Sequence, residues 1–87
     1  MTTKQKPRRL TRKQATNAIG DYLREIRTAE GLSQEALAVK AGIDRKTVNR
    51  IENGLFSPSI DTLVRLCQIL GKDAGVFLNE SFKRAAR

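Results

Sequence analysis

The sequence predicts an all-α domain of five short helices. Apolar residues recur at intervals of three or four along most of the chain, which is the spacing of one helical face. Glycine, serine and aspartate fall between these segments, where helices begin and end. The 87 residues, 39% of them hydrophobic, suffice for one small core. We therefore divide the chain into a basic arm, residues 1–13, and a single folded domain, residues 14–87.

The predicted arm is strongly cationic. It has six basic and no acidic residues, namely Lys4, Lys6, Arg8, Arg9, Arg12 and Lys13, in a chain of net charge +8. So polar a segment cannot form a packed core, and we predict a flexible, disordered arm. Arg8 and Arg9 are candidates for following DNA phosphates or entering a minor groove. The alternative is a tail that only adds solubility.

The first helix is predicted to begin between Thr11 and Ala15 and to end at Gly31. Its apolar residues share one face: Ala15, Ile19, Tyr22, Leu23, Ile26 and Ala29. Gly20 interrupts the apolar pattern at a cost of roughly 1 kcal/mol relative to alanine, which counts against a regular helix at that point.

Two short helices joined by a tight turn are predicted over residues 34–53. Ser33 can cap the first helix, and Gly42 suits the left-handed conformation beyond its end. Asp44 can cap the second helix, where its charge suits the helix dipole. A projection at about 100° per residue puts the cationic and amide side chains of the second helix in one arc: Arg45, Lys46, Asn49, Arg50 and Asn53.

The two faces of this second helix suit two tasks. Val48 and Ile51 can anchor it on a core, while the polar face is free to enter the major groove of DNA. Arginine and lysine pair there with guanine, and asparagine pairs with adenine through two hydrogen bonds. The segment 34–53 is therefore a candidate DNA-reading unit.

Two further helices are predicted beyond Gly54, capped by Ser59 and Asp73. Apolar residues cover most of the circumference of the fourth: Ile60, Leu63, Val64, Leu66, Cys67, Ile69 and Leu70. We expect it to be the central, buried helix. The fifth helix has more apolar surface than an edge helix of so small a domain needs, and large apolar patches usually mark association sites.

We accordingly predict a homodimer through Phe77, Leu78 and Phe82, with Phe56 as a weaker candidate. In the alternative, Phe77 and Leu78 complete the core of the monomer and Phe82 is partly exposed. One cysteine cannot form an internal disulfide, and we interpret Cys67 as a buried apolar residue rather than a redox sensor.

Residues 19–78 contain a set of residues that together form a family pattern, namely Leu23, Arg27, Gly31 to Glu35, Leu37, Ala38, Ala41 to Ile43, Val48, Ile51 to Gly54, Pro58, Ser59, Leu63, Leu66, Leu70 and Gly71. In these residues the segment resembles the repressor and Cro family of helix-turn-helix regulators, the XRE type. The resemblance implies a repressor-like domain whose dimer reads a two-fold symmetric operator. It also implies a structural ion pair between Arg27 and Glu52. Our projection independently turns Glu52 toward the core, where an unpaired carboxylate is costly.

The resemblance further implies a set of DNA contacts. Arg45, Lys46 and Arg50 match base-reading positions, Asn49 shares their face, and Gln34, Thr47 and Asn53 match phosphate contacts. Gln34 is also expected to brace a side chain that reads bases. Because the best-known phage repressors have glutamine where this chain has Arg45, their operator cannot be transferred, and G·C pairs are expected in the half-site.

Composition argues against several other functions. Without histidine the chain has no imidazole base and no usual zinc site, so we predict no enzyme, no metal and no cofactor. No apolar run approaches the ~18 residues of a membrane span, and no signal peptide is evident. We expect a cytoplasmic, nucleoid-associated protein with no membrane contact.

We therefore expect a transcriptional regulator, a repressor or controller protein, that binds double-stranded operator DNA as a homodimer through residues 45–53. A protein partner such as RNA polymerase or a toxin is left open. The alternative is an antitoxin that neutralises a partner toxin and regulates its own operon. Only about nine residues follow Leu78, which favours a stand-alone regulator, either a restriction-modification controller or a phage-type immunity repressor.

Overall fold

Five helices form the secondary structure of residues 9–85, the part of the chain that the computed structural model describes. They are α1 (Arg12–Ala29), α2 (Gln34–Ala41), α3 (Arg45–Glu52), α4 (Ile60–Leu70) and α5 (Ala74–Ala85). Helix α1 packs against α3 and α5, α2 packs against α3 and α4, and α4 contacts α5. The prediction of an all-α, five-helix fold is confirmed.

The first helix begins inside the segment that was expected to be an arm. Thr11 caps α1 because its hydroxyl accepts a hydrogen bond from the amide of Gln14, whose side chain accepts one from the amide of Thr11. This reciprocal capping fixes the first turn. The structure therefore places Arg12 and Lys13 in the helix rather than in the arm. Arg8 lies outside the described residues.

Gly20 allows α1 to approach α3 closely. A Cβ atom at this position would lie 2.2 Å from the backbone carbonyl oxygen of Ile51. The helix continues through the glycine without interruption. The absence of a side chain at Gly20 therefore serves the packing of α1 on α3.

A three-residue turn joins α2 to α3. The hydroxyl of Ser33 accepts a hydrogen bond from the amide of Ala36 at the start of α2. Gly42 ends that helix in the left-handed conformation with φ of 72°, which glycine adopts without steric cost. Asp44 occupies the N-cap position of α3, but its side chain makes no capping hydrogen bond. The predicted cap is therefore wrong in that respect, although the charge still lies near the helix N-terminus.

The core draws side chains from all five helices. The largest fully buried residues are Leu23, Leu37, Val48, Ile51, Leu66, Cys67 and Phe77. Burial, with a smaller contribution from the charge of Asp73, raises the pKa of the Cys67 thiol to about 11. The thiol is therefore neutral and unreactive at neutral pH.

Helix α4 is not the central helix, and that prediction is wrong. Leu63, Leu66, Cys67 and Leu70 form its buried face. On its other sides Ile60 is 71% exposed and Val64 is 37% exposed. Apolar residues all around a helix show that its surfaces can be buried, but not that the same chain covers them.

Phe77 belongs to the monomer core and not to the surface. It is fully buried, and its ring centroid lies 5.1 Å from that of Tyr22 in α1. Leu78 and Phe82 are partly buried against the same core. The structure thus corrects the proposed dimer contact at Phe77 and favours the alternative, in which these residues complete the monomer.

No helix among residues 9–85 is long and apolar enough to cross a membrane. The same residues contain no cluster of three or more side chains of the types that commonly bind metals, which are His, Cys, Asp and Glu.

Candidate nucleic-acid interface

The outward side of α3 is lined with cationic and amide side chains. Arg45, Lys46, Arg50 and Asn53 are exposed, and Thr47 and Asn49 are partly buried. On the inner side Val48 and Ile51 are fully buried. The helix is therefore anchored by two aliphatic residues and presents hydrogen-bond donors to solvent.

Glu52 is the buried centre of the polar contacts behind this surface. Its side chain has no solvent exposure. Arg27 donates from Nε to Oε2 at 2.6 Å and from Nη2 to Oε1 at 2.9 Å. Gln34 donates from Nε2 to Oε1 at 3.0 Å. The expected pairing of Arg27 with Glu52 is present as a two-point contact, the geometry in which arginine binds carboxylates best.

Both members of this pair are charged at neutral pH. Burial by itself would raise the pKa of Glu52, but the hydrogen bonds from Arg27, Gln34 and Arg24 hold it below its ordinary value. The hydrogen bond to Glu52 in turn raises the pKa of Arg27. Removal of either partner would leave a buried, uncompensated charge.

Amide side chains connect Glu52 to the outward face of α3. Gln34, which binds the carboxylate through its nitrogen, accepts a hydrogen bond through Oε1 from Nδ2 of Asn49 at 3.3 Å. Asn49 in turn accepts one through Oδ1 from Nδ2 of Asn53 at 3.2 Å. Three candidate DNA contacts are thus linked to one another and to the buried ion pair.

Two basic residues of α1 hold the C-terminal end of α3, and neither was assigned to the site from the sequence. Arg24 donates from Nη2 to the backbone oxygen of Glu52 at 3.2 Å and to Oδ1 of Asn53 at 3.1 Å. Lys13 donates from Nζ to the backbone oxygen of Gly54 at 3.0 Å. The last carbonyl groups of a helix have no intrahelical partner, and cations stabilise that end.

The spacing of these residues was a signal that could have found them. Lys13, Gly20, Arg24 and Arg27 are separated by seven, four and three residues. Such intervals place them on one side of a helix. Gly20 marks this side as the one that meets another backbone, so the neighbouring cations face α3.

Arg45 has one acidic neighbour in α2. Its Nε lies 3.8 Å from Oε1 of Glu35, and both side chains are more than half exposed. An exposed pair of this kind contributes little to stability. Arg45 is therefore available to another acceptor. Arg9, from the expected arm, is also exposed.

Comparison with known proteins identifies the family. A model of the HTH_3 helix-turn-helix family matches residues 23–77. The chain belongs to this XRE-type helix-turn-helix family. The matched residues have the DNA-binding fold of this family, whose members include transcriptional regulators.

Regulators from bacteria and archaea share part of the sequence. The chain is 36% identical over 66 residues to the HTH-type transcriptional regulator PuuR of Escherichia coli, covering 76% of this chain and 36% of that protein. It is 39% identical over 51 residues to an uncharacterized HTH-type transcriptional regulator of Methanothermobacter thermautotrophicus, covering 59% of this chain and 74% of that protein. The match thus spans little more than a third of the length of PuuR.

Solved regulators also share the fold. The Clp gene regulator ClgR of Corynebacterium glutamicum has a TM-score of 0.79 at 25% identity, covering 92% of this chain and 81% of that one. The restriction-modification controller C.AhdI of Aeromonas hydrophila has a TM-score of 0.69 at 37% identity, covering 71% and 94%. The controller C.Esp1396I, solved as a tetramer on its natural 35-base-pair operator, has a TM-score of 0.75 at 25% identity, covering 84% and 96%.

Proposed function

We propose that the regulator binds a specific operator in double-stranded DNA as a homodimer, with α3 of each copy in the major groove. The supporting observation is the division of α3 into a buried aliphatic side and an outward cationic and amide side. A helix built in this way docks on its own domain through one face and leaves the other for base edges. The helix-turn-helix docks on DNA in this manner.

Each outward residue type has a complementary partner in the major groove. Arg45, Lys46 and Arg50 can pair with the O6 and N7 acceptors of guanine, and Asn49 can pair with adenine. A good two-point pair contributes about 1 to 3 kcal/mol of discrimination against the wrong base. Thr47 is placed beside this set and suits a phosphate oxygen.

Contacts to the DNA backbone would complete the interface. Gln34 and Asn53 lie at the two ends of the helix-turn-helix and present amide groups that can donate to phosphates. Arg9, before α1, and Arg8 would add charge contacts that weaken as salt rises.

The random selection of bound duplexes tests this function directly. The purified regulator is incubated with a random double-stranded library at near-physiological salt, and bound sequences are read after several rounds. We expect an inverted repeat whose half-sites lie about one helical turn apart. Salt-sensitive binding without enrichment would contradict the proposal and would direct the search to a protein partner, as in the antitoxin alternative.

The homodimer requires a surface other than Phe77. We name Ile60 and Val64 the exposed apolar strip. Ile60 and Val64 are four residues apart and share one side of α4, and Phe56, in the preceding loop, is 42% exposed. Two copies of the strip packed against each other would form a symmetric interface and remove apolar surface from water. The tetrameric state of the similar controller C.Esp1396I on its operator supports self-association in general.

A charge in the strip tests the dimer without DNA. Ile60→Asp should weaken self-association by roughly tenfold or more, because an unpaired carboxylate would have to be buried between the copies. Val39→Asp in α2 is a matched control, since Val39 is 68% exposed and Ile60 is 71% exposed. Sedimentation equilibrium over a range of concentrations measures both. Equal dissociation constants for the two variants would contradict this interface.

A further inference from the structure

The polar side chains around the end of α3 form a closed ring of hydrogen bonds. We call it the amide ring, and its members are Arg24, Asn53, Asn49, Gln34 and Glu52. Arg24 donates to Asn53 at 3.1 Å, Asn53 to Asn49 at 3.2 Å and Asn49 to Gln34 at 3.3 Å. Gln34 donates to Oε1 of Glu52 at 3.0 Å. Nε of Arg24 closes the ring on the same oxygen at 3.5 Å.

The three amides of the ring form a chain of hydrogen bonds with one direction, and the charged residues at its two ends, Arg24 and Glu52, impose it. Arginine has only donors, and an ionised carboxylate has only acceptors. The hydrogen bonds therefore run from Arg24 through the three amides to Glu52. Each amide is oriented consistently from both ends, because its nitrogen donates onward and its oxygen accepts from the previous member.

This direction determines what Asn49 can offer to DNA. Its Nδ2 is turned to Gln34 and its Oδ1 is turned to Asn53. One N–H and one oxygen lone pair remain, since an amide has two donors and two acceptor sites. These are the groups that asparagine uses to bind N7 and N6 of adenine.

We propose that Arg24, although it lies on α1, is a positioning residue for base recognition, because it holds Asn53 and thereby fixes the amide of Asn49. The inference depends on the proposed function, since the orientation of Asn49 matters only if this side chain reads a base. Without Arg24, the exposed Asn53 loses the partner of its oxygen and can turn into solvent. Asn49 is then held by Gln34 alone.

Specificity measurements distinguish positioning from a direct phosphate contact. Affinities for the selected operator and for its single-base variants are measured at two salt concentrations. Arg24→Ala should lose roughly fivefold or more of the discrimination at one base pair of each half-site. That pair should be the one at which Asn49→Ala loses its preference. In the Asn49→Ala background, Arg24→Ala should not reduce discrimination at that base pair any further. If Arg24→Ala acted only by destabilising the fold, it would still weaken binding in that background.

Matched variants control for charge and for folding. Arg65→Ala removes an arginine that is 50% exposed, against 48% for Arg24, from a surface pair with Asp61. It should leave the base preference intact. Arg24→Lys keeps the charge but lacks the planar group that reaches two acceptors, so it should keep the salt dependence of the wild type and lose the discrimination.

A measurement without DNA examines the ring itself. The side-chain amide order parameters of Asn49 and Asn53, from NMR relaxation of the free protein, should fall in Arg24→Ala and stay unchanged in Arg65→Ala. Unchanged amide order in Arg24→Ala would overturn the positioning role.

Each outcome of the binding experiment is decisive. A uniform loss over all sequences, with the salt slope reduced by about one, would show that Arg24 binds a phosphate and would overturn the inference. Full discrimination in Arg24→Ala would also overturn it. Failure of the wild type to select any operator would contradict both the proposed function and the inference. If the wild type selects an operator and Arg24→Ala keeps full discrimination, only the inference is contradicted.

Discussion

The two sides of this domain offer different kinds of contact. Where α1 meets α3, one buried carboxylate receives hydrogen bonds from Arg27, Gln34 and Arg24. On the outer side of α4, Ile60 and Val64 offer exposed apolar surface instead. Hydrogen bonds are directional, whereas apolar contact depends chiefly on the area removed from water. Reading a base requires atoms in set positions, and joining two copies requires mainly complementary area.

Removal of the central carboxylate should have the largest effect. Glu52→Ala removes the partner of the Arg27 guanidinium, and the side chain of Arg27 is only 10% exposed. We expect a loss of about 3 to 5 kcal/mol in the free energy of unfolding, measured by urea denaturation. DNA binding should fall as the folded population falls, and discrimination at the base pair that Asn49 reads should weaken as well, because Gln34 loses its acceptor in the amide ring.

Asp61→Ala is the control for that loss. Asp61 pairs with Arg65 at the surface, with a side-chain exposure of 76%, and such pairs contribute about 0 to 1 kcal/mol. If Glu52→Ala were as stable as Asp61→Ala, the polar side of the domain would not depend on its buried ion pair.

Salt should separate the two kinds of contact. Raising sodium chloride from about 50 to 200 mM should weaken operator binding by roughly a hundredfold or more, because bound phosphates release counterions. Self-association through the exposed apolar strip should change little over this range, because burial of apolar surface involves no such release. Titrations of DNA binding and of dimerisation at the same salt concentrations make the comparison. A parallel decline of both would contradict an apolar dimer interface.

The smallest expected changes are in the free energy of unfolding at acid and at alkaline pH. The pKa of Glu52 is lowered in the folded state, so its contribution to stability is present above the unfolded value of about 4.3 and is lost as pH falls through the folded pKa. Burial in the folded state raises the pKa of the Cys67 thiol to about 11. The unfolded thiol ionises first, so stability should decline as pH rises from about 9.

Urea midpoints measured across pH test both limits with one pair of variants. The acid decline should be shallower in a Glu52→Gln variant, and the alkaline decline should be shallower in Cys67→Ala. Acid curves of equal slope in the wild type and Glu52→Gln would show that this carboxylate is not held ionised by its neighbours.

Local features of the fold were predictable because local residues determine them. Ser33 and Ser59 cap α2 and α4 as expected, and the carboxylate of Asp73 accepts a hydrogen bond from the amide of Val76 at the start of α5. The glycines at 42 and 71 end their helices with positive φ. Each of these depends on the geometry of one turn.

The features that depend on tertiary placement were not predictable in the same way. The sequence of α4 is apolar on every side, so it does not reveal that Ile60 is exposed on the surface of the monomer. The role of Arg24 in the site depends on which side of α1 packs against α3. Gly20 marks that side, but in the sequence it looks only like a break in the apolar pattern of the helix. Glu52 was predictable only because its projection and the family resemblance agreed.

The central claim is that the outward face of α3 reads bases. Its most direct test is a set of parallel library selections with the wild type, Arg50→Ala and Lys72→Ala, the last removing an exposed lysine that follows α4. The account predicts that Arg50→Ala keeps the spacing of the inverted repeat and loses its preference at one base pair in each half-site, while Lys72→Ala selects the wild-type sequence. Selection of an unchanged sequence by Arg50→Ala would contradict base reading by this residue, and the same result at Arg45 and Lys46 would contradict it for the helix.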